Sequence, residues 1–210
     1  MSGTITSSQL SALAALAPIL EGDVYLAGGV AVALDVGHRT SVDLDLFVPR
    51  SFDPDGLFER ITHAVGSARS IGRATGTLDL EVDGVPVSVL SYRYPLLRPV
   101  HRVARVAIPV ASSEDLACMK LSAIGGRGAA KDFWDLDELL NRGVAGGGLA
   151  DLLALYRQKF PADDIGHVVR ALAYFGDADA APLPAGLTPE RWAILKRAWS
   201  ERSLALPSTL

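Results

Sequence analysis

One cysteine, Cys118, stands among 210 residues, so no disulfide can close within the chain, and a lone thiol suits a reducing compartment. It lies on an apolar helical face, where a free cysteine is ordinarily core. Excess positive charge is also lacking. Twenty Lys and Arg against 24 Asp and Glu give a formal charge of −4, which argues against wholesale electrostatic binding of nucleic acid and leaves room for a local basic patch. The longest apolar run, between Asp23 and Asp35, falls well short of the ~20 residues a membrane span requires. No basic segment followed by an apolar one opens the sequence, so no signal peptide is expected and the chain reads as soluble and cytoplasmic. The four histidines are scattered without zinc-ligand spacing, which disfavours a metal-dependent phosphohydrolase. No internal repeat is apparent.

What is present is an ordinary globular composition, 49% hydrophobic and 21% charged, at a length that buries a real core. The first half alternates short strands with helices. A helix is expected over Ser7–Leu20, a strand at Val24–Leu26, a short helix at Val30–Val36 and a strand across Val42–Val48 that Pro49 ends. Asp53 caps a helix with Pro54 at its first position. Strands are expected at Arg69–Arg73, Thr77–Val82 and Val85–Ser91, the last two joined by the hairpin pair Asp83-Gly84. Tyr94–Ala104 reads as a loop and Val106–Val110 as a last strand. From Ser112 the chain turns helical. One helix runs to a break at Gly125-Gly126-Arg127-Gly128, and another covers Lys131–Asn141. A loop at Gly143–Gly148 follows, then helices at Leu149–Phe160, Asp164–Phe175 and Pro189–Ser203, with a Pro/Ala linker at Asp177–Gly186. Residues 1–111 thus read as a core and 112–210 as a helical part packing on it.

The stretch Leu26–Val48, LAGGVAVALDVGHRTSVDLDLFV, carries the chemistry. Gly28-Gly29 falls where a strand ends and a helix begins, so the backbone can approach a ligand and unpaired N–H groups can face an anion. Gly37 suits a left-handed helix end. Asp43 and Asp45 alternate with apolar residues and should project from one strand face. Two carboxylates so placed repel unless a cation lies between them, and a hard divalent cation such as Mg²⁺, which commonly brings substrate phosphates with it, is the fitting occupant. The bland alternative is a solvated strand face.

This run resembles the first motif of the DNA polymerase β-type nucleotidyltransferase superfamily. More narrowly it resembles the AbiEii/AbiGii toxin family, in which a GG or GS turn precedes an HR-x-S-x-D-x-D approach. The block Ser113-Glu114-Asp115-Leu116 through Lys120, Arg127, Lys131-Asp132 and Asp135 is similar to that family's later motif. Ala171–Phe175 with Asp177 and Asp179 is similar to its C-terminal helix. The similarity spans roughly Tyr25 to Pro184. It implies an α+β (α/β) fold, a polymerase β-like core with a mixed sheet flanked by helices and followed by a helical C-terminal part.

The resemblance further implies transfer of a nucleotide from an NTP to an acceptor hydroxyl, a tRNA 3′ end or a protein side chain, by the toxin of a toxin–antitoxin pair. Asp43, Asp45, Lys120 and Asp132 are then the expected catalytic residues, the first two as metal ligands. Gly28, Gly29, His38, Arg39, Ser41, Arg127 and Lys131 are the expected nucleotide-binding residues. The superfamily's third carboxylate aligns with Ser88, which is no acid. Asp79, Glu81 or Asp132 would have to replace it, and the alternative function is a catalytically reduced fold that binds nucleotide or a partner without turnover.

Each remaining group has a bland reading beside the functional one. Lys120, Arg127, Lys131 and Asp132 either neutralise triphosphate charge or belong to a solvated helix face with ion pairs among Lys131, Asp132 and Asp135. His38 and Arg39 either touch phosphate or answer the dipole of the preceding helix. The loop carrying Arg93, Arg98, Arg102 and Arg105 is an RNA contact or a solvated loop. Trp134, Trp192 and Trp199 read as packing residues.

Overall fold

The computed structural model describes residues 4–20, 22–161 and 164–206, and the chain divides into two compact units, 1–112 and 113–210. The first is built on a five-stranded mixed sheet of order β1-β2-β5-β4-β3, with β1 at Tyr25–Ala27, β2 at Leu44–Val48, β3 at Arg69–Ala74, β4 at Thr77–Val82 and β5 at Val85–Ser91. Only β2 and β5 run parallel. Three helices accompany it: α1 (Ser7–Leu16), α2 (Gly28–Val36), which packs against β1 and β2, and α3 (Pro54–Ala64), which packs against β3 and β4.

Alternation decides which face of the sheet is core. Leu44, Leu46, Leu78, Leu80, Val82, Val87 and Val89 are buried, while their neighbours Asp45, Asp79, Glu81 and Ser88 are half-buried. The β4–β5 hairpin turns at Asp83 and Gly84, both with positive φ (50° and 79°), as a two-residue turn of that type requires. Asp53 caps α3 by accepting from the N–H groups of Asp55 and Gly56.

Several expected boundaries move, each for a local reason. The first helix stops at Leu16 rather than Leu20: Ala17 keeps helical angles (φ −52°, ψ −45°), but Pro18 has no N–H to continue the ladder. The helix after β1 begins at Gly28, so the Gly pair forms its first turn instead of preceding it. No strand forms over Val106–Val110. Pro109 offers only its carbonyl, which accepts from Leu26 N–H, and Val110 makes single bridges to Leu26 and His101.

In the second unit, α4 (Ser113–Gly126) runs through the first two glycines of the expected break. It ends where Gly128, at φ +53°, turns the chain left-handed. Next come α5 (Ala130–Asn141), a 3₁₀ turn (Val144–Gly147) inside the expected glycine loop, and α6 (Leu149–Lys159). The expected Asp164–Phe175 helix is reduced to α7 (Gly166–Ala171). A separate short turn, α8 (Gly176–Asp179), occupies the start of the expected linker, and α9 (Pro189–Leu204) follows.

Phe133 gathers Phe175, Trp192 and Trp199 into an aromatic core, and Trp199 Nε1 donates to the Phe133 carbonyl at 3.3 Å. The tryptophans are packing residues, as expected. Among the described residues no helix is long and apolar enough to cross a membrane.

Candidate active site

In the first unit the site grows from the contact between the Gly pair and the approach to β2. At Gly28, φ is +67°, and an added Cβ would lie 2.7 Å from Asp45 Cγ. At Gly29 it would collide with Ser41 Oγ and lie 3.0 Å from an Arg39 guanidinium nitrogen. Only glycine at both positions lets the carboxylate, the hydroxyl and the guanidinium come this close to the first turn of α2. That turn presents unpaired N–H groups and a positive dipole end, which favour an anion. Gly28, Gly29, Arg39, Ser41 and Asp45, five of the residues expected at the site, are therefore neighbours in space.

Asp43 lies one residue before β2 begins and is exposed, whereas Asp45 is half-buried inside the strand. His38 follows Gly37, which ends α2 at φ +75°. The segment between α2 and β2 is not left to itself. Gln9, buried on α1, donates both hydrogens of its side-chain amide, to the carbonyls of Ser41 (2.8 Å) and Val42 (2.9 Å). Its Oε1 accepts from the Thr6 N–H, while the Thr6 hydroxyl accepts from the Gln9 N–H, a reciprocal capping box. Every polar atom of the Gln9 side chain is used.

Strand register places Ala27, Asp45, Ser88 and Asp79 in one row across four adjacent strands. Ser88 Oγ donates to Asp79 Oδ1 at 2.6 Å. Where the resemblance implies an acid there is thus a hydroxyl, with an acid one strand farther out. Glu81 lies two residues along β4, 3.6 Å from Arg69 across a largely exposed pair. Among the described residues no group of three or more His, Cys, Asp or Glu gathers as a metal-ligand set. Asp43 and Asp45 still suit a hard divalent cation, because Mg²⁺ commonly takes one or two carboxylates and completes its shell with water and substrate phosphates.

The second unit brings Lys120, Asp132 and Arg127 together and adds Asp135. Lys120 Nζ lies 2.8 Å from Asp132 Oδ1 and 2.7 Å from Asp135 Oδ2, with both carboxylates fully buried. The exposed Arg127 reaches Asp132 Oδ2 at 3.3 Å. Two cations face two carboxylates, so the cluster balances its own charge. Lys131 is half-buried and enters none of these ion pairs. A second buried pair, Lys159 with Asp115 at 2.6 Å, ties α6 to α4. Beside it burial pushes the Cys118 thiol up to about 12, against the lowering influence of Lys159.

Gln9 and Lys159 escaped the sequence reading, while Asp115 and Asp135 entered it in the later motif without their actual partners. The pattern Thr6-x-x-Gln9 signals a capping box, but nothing in it signals the two long-range bonds. The pairings of Asp135 and of Lys159 with Asp115 carry no local signal, since the partners lie elsewhere in the chain.

The profile of the family described as "Nucleotidyl transferase AbiEii toxin, Type IV TA system" matches residues 11–209. An uncharacterised protein of Aquifex aeolicus (strain VF5) is 37% identical over 158 residues, covering 74% of this chain and 75% of its own. Among solved structures, the nucleotidyltransferase toxin MenT4 of Mycobacterium tuberculosis H37Rv superposes with a TM-score of 0.59 at 17% identity, over 96% of this chain and 83% of that one. The antibiotic-resistance factor ANT(2'')-Ia does so with a TM-score of 0.55 at 14% identity, over 72% and 91%. At such identities the likeness is one of fold.

Proposed function

Because the chain belongs to the AbiEii nucleotidyl transferase toxin family, we propose that it transfers a nucleotide from an NTP to an acceptor hydroxyl and acts as the toxin of a toxin–antitoxin pair. The observation that carries this reading is the packing of Asp45, Ser41 and Arg39 against Gly28-Gly29 at the start of α2. It sets a carboxylate, a hydroxyl and a cation around a turn suited to anions.

The acceptor oxygen attacks the α-phosphorus, a new P–O bond forms, the bond to the β-phosphate oxygen breaks, and pyrophosphate leaves. The α2 N–H groups and Arg39 hold phosphate oxygens, and Ser41 orients them. Asp43 and Asp45 would hold Mg²⁺ or Mn²⁺, which when bound draws charge from the phosphate oxygens. The acceptor's proton passes to a carboxylate, for which Asp79 and Asp132 are the candidates. Asp79 is held by one hydroxyl and shares the strand row of Asp45, whereas Asp132 is held by two cations. Lys120 and Arg127 act through Asp132, and Lys131 supplies a cation outside that cluster. The exposed position of Asp43 and the half-buried one of Asp45 leave both able to meet a nucleotide.

The test is pyrophosphate release with each NTP in turn, with Mg²⁺, against total RNA and against total protein as acceptor. Release with one NTP, dependent on one acceptor class, supports the reading and names both. The Ser88–Asp79 pair favours a second reading, nucleotide binding without turnover. Metal-dependent NTP binding with no release from any NTP would select it.

A further inference from the structure

The segment that leaves β5 and returns beside β1 differs in charge from the rest of the chain. No Asp or Glu occurs between Asp83 and Glu114, yet that interval holds Arg93, Arg98, Arg102 and Arg105, in a protein whose formal charge is −4. All four arginines are exposed, as is His101.

The segment is built rather than loose. Tyr92 N–H donates to the Val48 carbonyl at 2.8 Å, Arg93 to Ser51 Oγ at 3.3 Å, and His101 exchanges two backbone hydrogen bonds with Val110. Aromatic contacts run outward along it. Tyr25 stacks on Phe47 at 5.7 Å, Phe47 meets the edge of Tyr92 at 5.0 Å, and Tyr92 holds Tyr94 at 5.2 Å. Tyr94 ends that series 49% exposed. Cations with no acid among them and a fixed, open aromatic ring are what an unpaired nucleic acid strand needs: charge for its phosphates and a platform for a base.

Its placement is equally telling. The segment starts just past the strand of Ser88, and its far end, Val110, bridges Leu26, two residues before Gly28.

We propose that residues 92–105 form a docking strip for single-stranded RNA, with Arg93, Arg98 and Arg102 on phosphates and Tyr94 stacked on a base. The strip makes the acceptor of the proposed transfer an RNA and rests on that reading for its purpose, though not for its physics. Guanidinium groups pair phosphates bidentately, and the exposed ring beside them offers a base a stacking face.

The test needs no turnover. Fluorescence anisotropy with a labelled 12-nucleotide oligouridine, titrated with full-length protein at several salt concentrations, reads affinity and its salt slope. The joint variant Arg98→Ala/Arg102→Ala is expected to weaken binding at least tenfold and to flatten the slope by about 1.4, from roughly 0.7 per phosphate contact on single strands. Tyr94→Ala is expected to weaken it about tenfold, with Tyr94→Phe near native. Circular dichroism melts confirm that the variants are folded.

No binding by the native protein, or equal binding by the double variant, overturns the proposal. So does a polyglutamate peptide that binds as tightly as the RNA, which would mark an acidic protein as the partner. Failed transfer beside intact, strip-dependent RNA binding would sink the catalytic reading alone. Transfer to protein without RNA binding would sink the strip alone.

Discussion

The carboxylate of Asp45 lies so close to the Cα of Gly28 that nothing larger than hydrogen fits between them. Gly28→Ala is therefore expected to displace Asp45 from the first turn of α2. The positive φ of +67° adds a backbone penalty of about 1–2 kcal/mol. Transfer should fall by roughly two orders of magnitude, the scale of displacing a reacting group by an ångström. Melting temperature should fall by only a few degrees. Parallel transfer assays and thermal melts check this, and a variant with native activity would show that the contact is dispensable.

Gln9 holds the approach to β2 at two consecutive carbonyls. Gln9→Leu keeps the volume and removes both donors, leaving those carbonyls without their protein partner at about 1–3 kcal/mol. The expected signature is a fall in kcat of about tenfold, with faster amide exchange confined to residues 40–43 and to Thr6, whose N–H loses its acceptor. Uniformly faster exchange would point to general destabilisation instead.

Lys120 is buried against two carboxylates, so Lys120→Met leaves Asp132 and Asp135 facing each other without their ammonium. Breaking one side of a buried ion pair typically costs about 3–5 kcal/mol. Urea unfolding should register a loss on that scale. The joint variant Lys120→Met/Asp132→Asn/Asp135→Asn should recover most of it, since no buried charge is then stranded. Activity lost in the single variant must be read beside that measurement.

Cys118 is fully buried and its thiol is pushed up to about 12 by desolvation. Iodoacetamide should not label the native protein at pH 8 and should label it fully in denaturant. The folded value exceeds the unfolded one, taken as 9.0. The stability tied to this thiol is thus fully present below pH 9 and is lost as pH rises from 9 toward 12. Cys118→Ala should remove that part of the alkaline destabilisation, and an unchanged pH profile would assign it to other groups.

Much of the site could be read in the sequence because its signals are local. Gly28-Gly29, Gly37 and the Asp43/Asp45 alternation each depend on neighbours within a few residues, and the turn at Asp83-Gly84 depends on backbone preference alone. What could not be read depends on pairing between distant segments. Asp45, Ser88 and Asp79 share a row only because β2 pairs with β5 across the whole α3-β3-β4 excursion. The same holds for Lys120, whose neutralisation needs α4 and α5 folded together, and for Gln9, whose targets lie 32 and 33 residues away. The Val106–Val110 run looked like a strand because apolar β-branched residues favour one. It pairs at single points instead, since Pro109 has no N–H to continue a ladder.

The central claim is that Asp45, set against Gly28, serves nucleotide transfer. It is tested most directly by incubating native protein and Asp45→Asn with α-labelled NTPs, Mg²⁺ and total RNA, and measuring label in the acceptor. The account predicts transfer from one preferred NTP by the native protein, and at least a hundredfold less by an Asp45→Asn variant that remains folded. Equal labelling by the two proteins, or none by the native protein with any NTP and either RNA or protein acceptors, would contradict it.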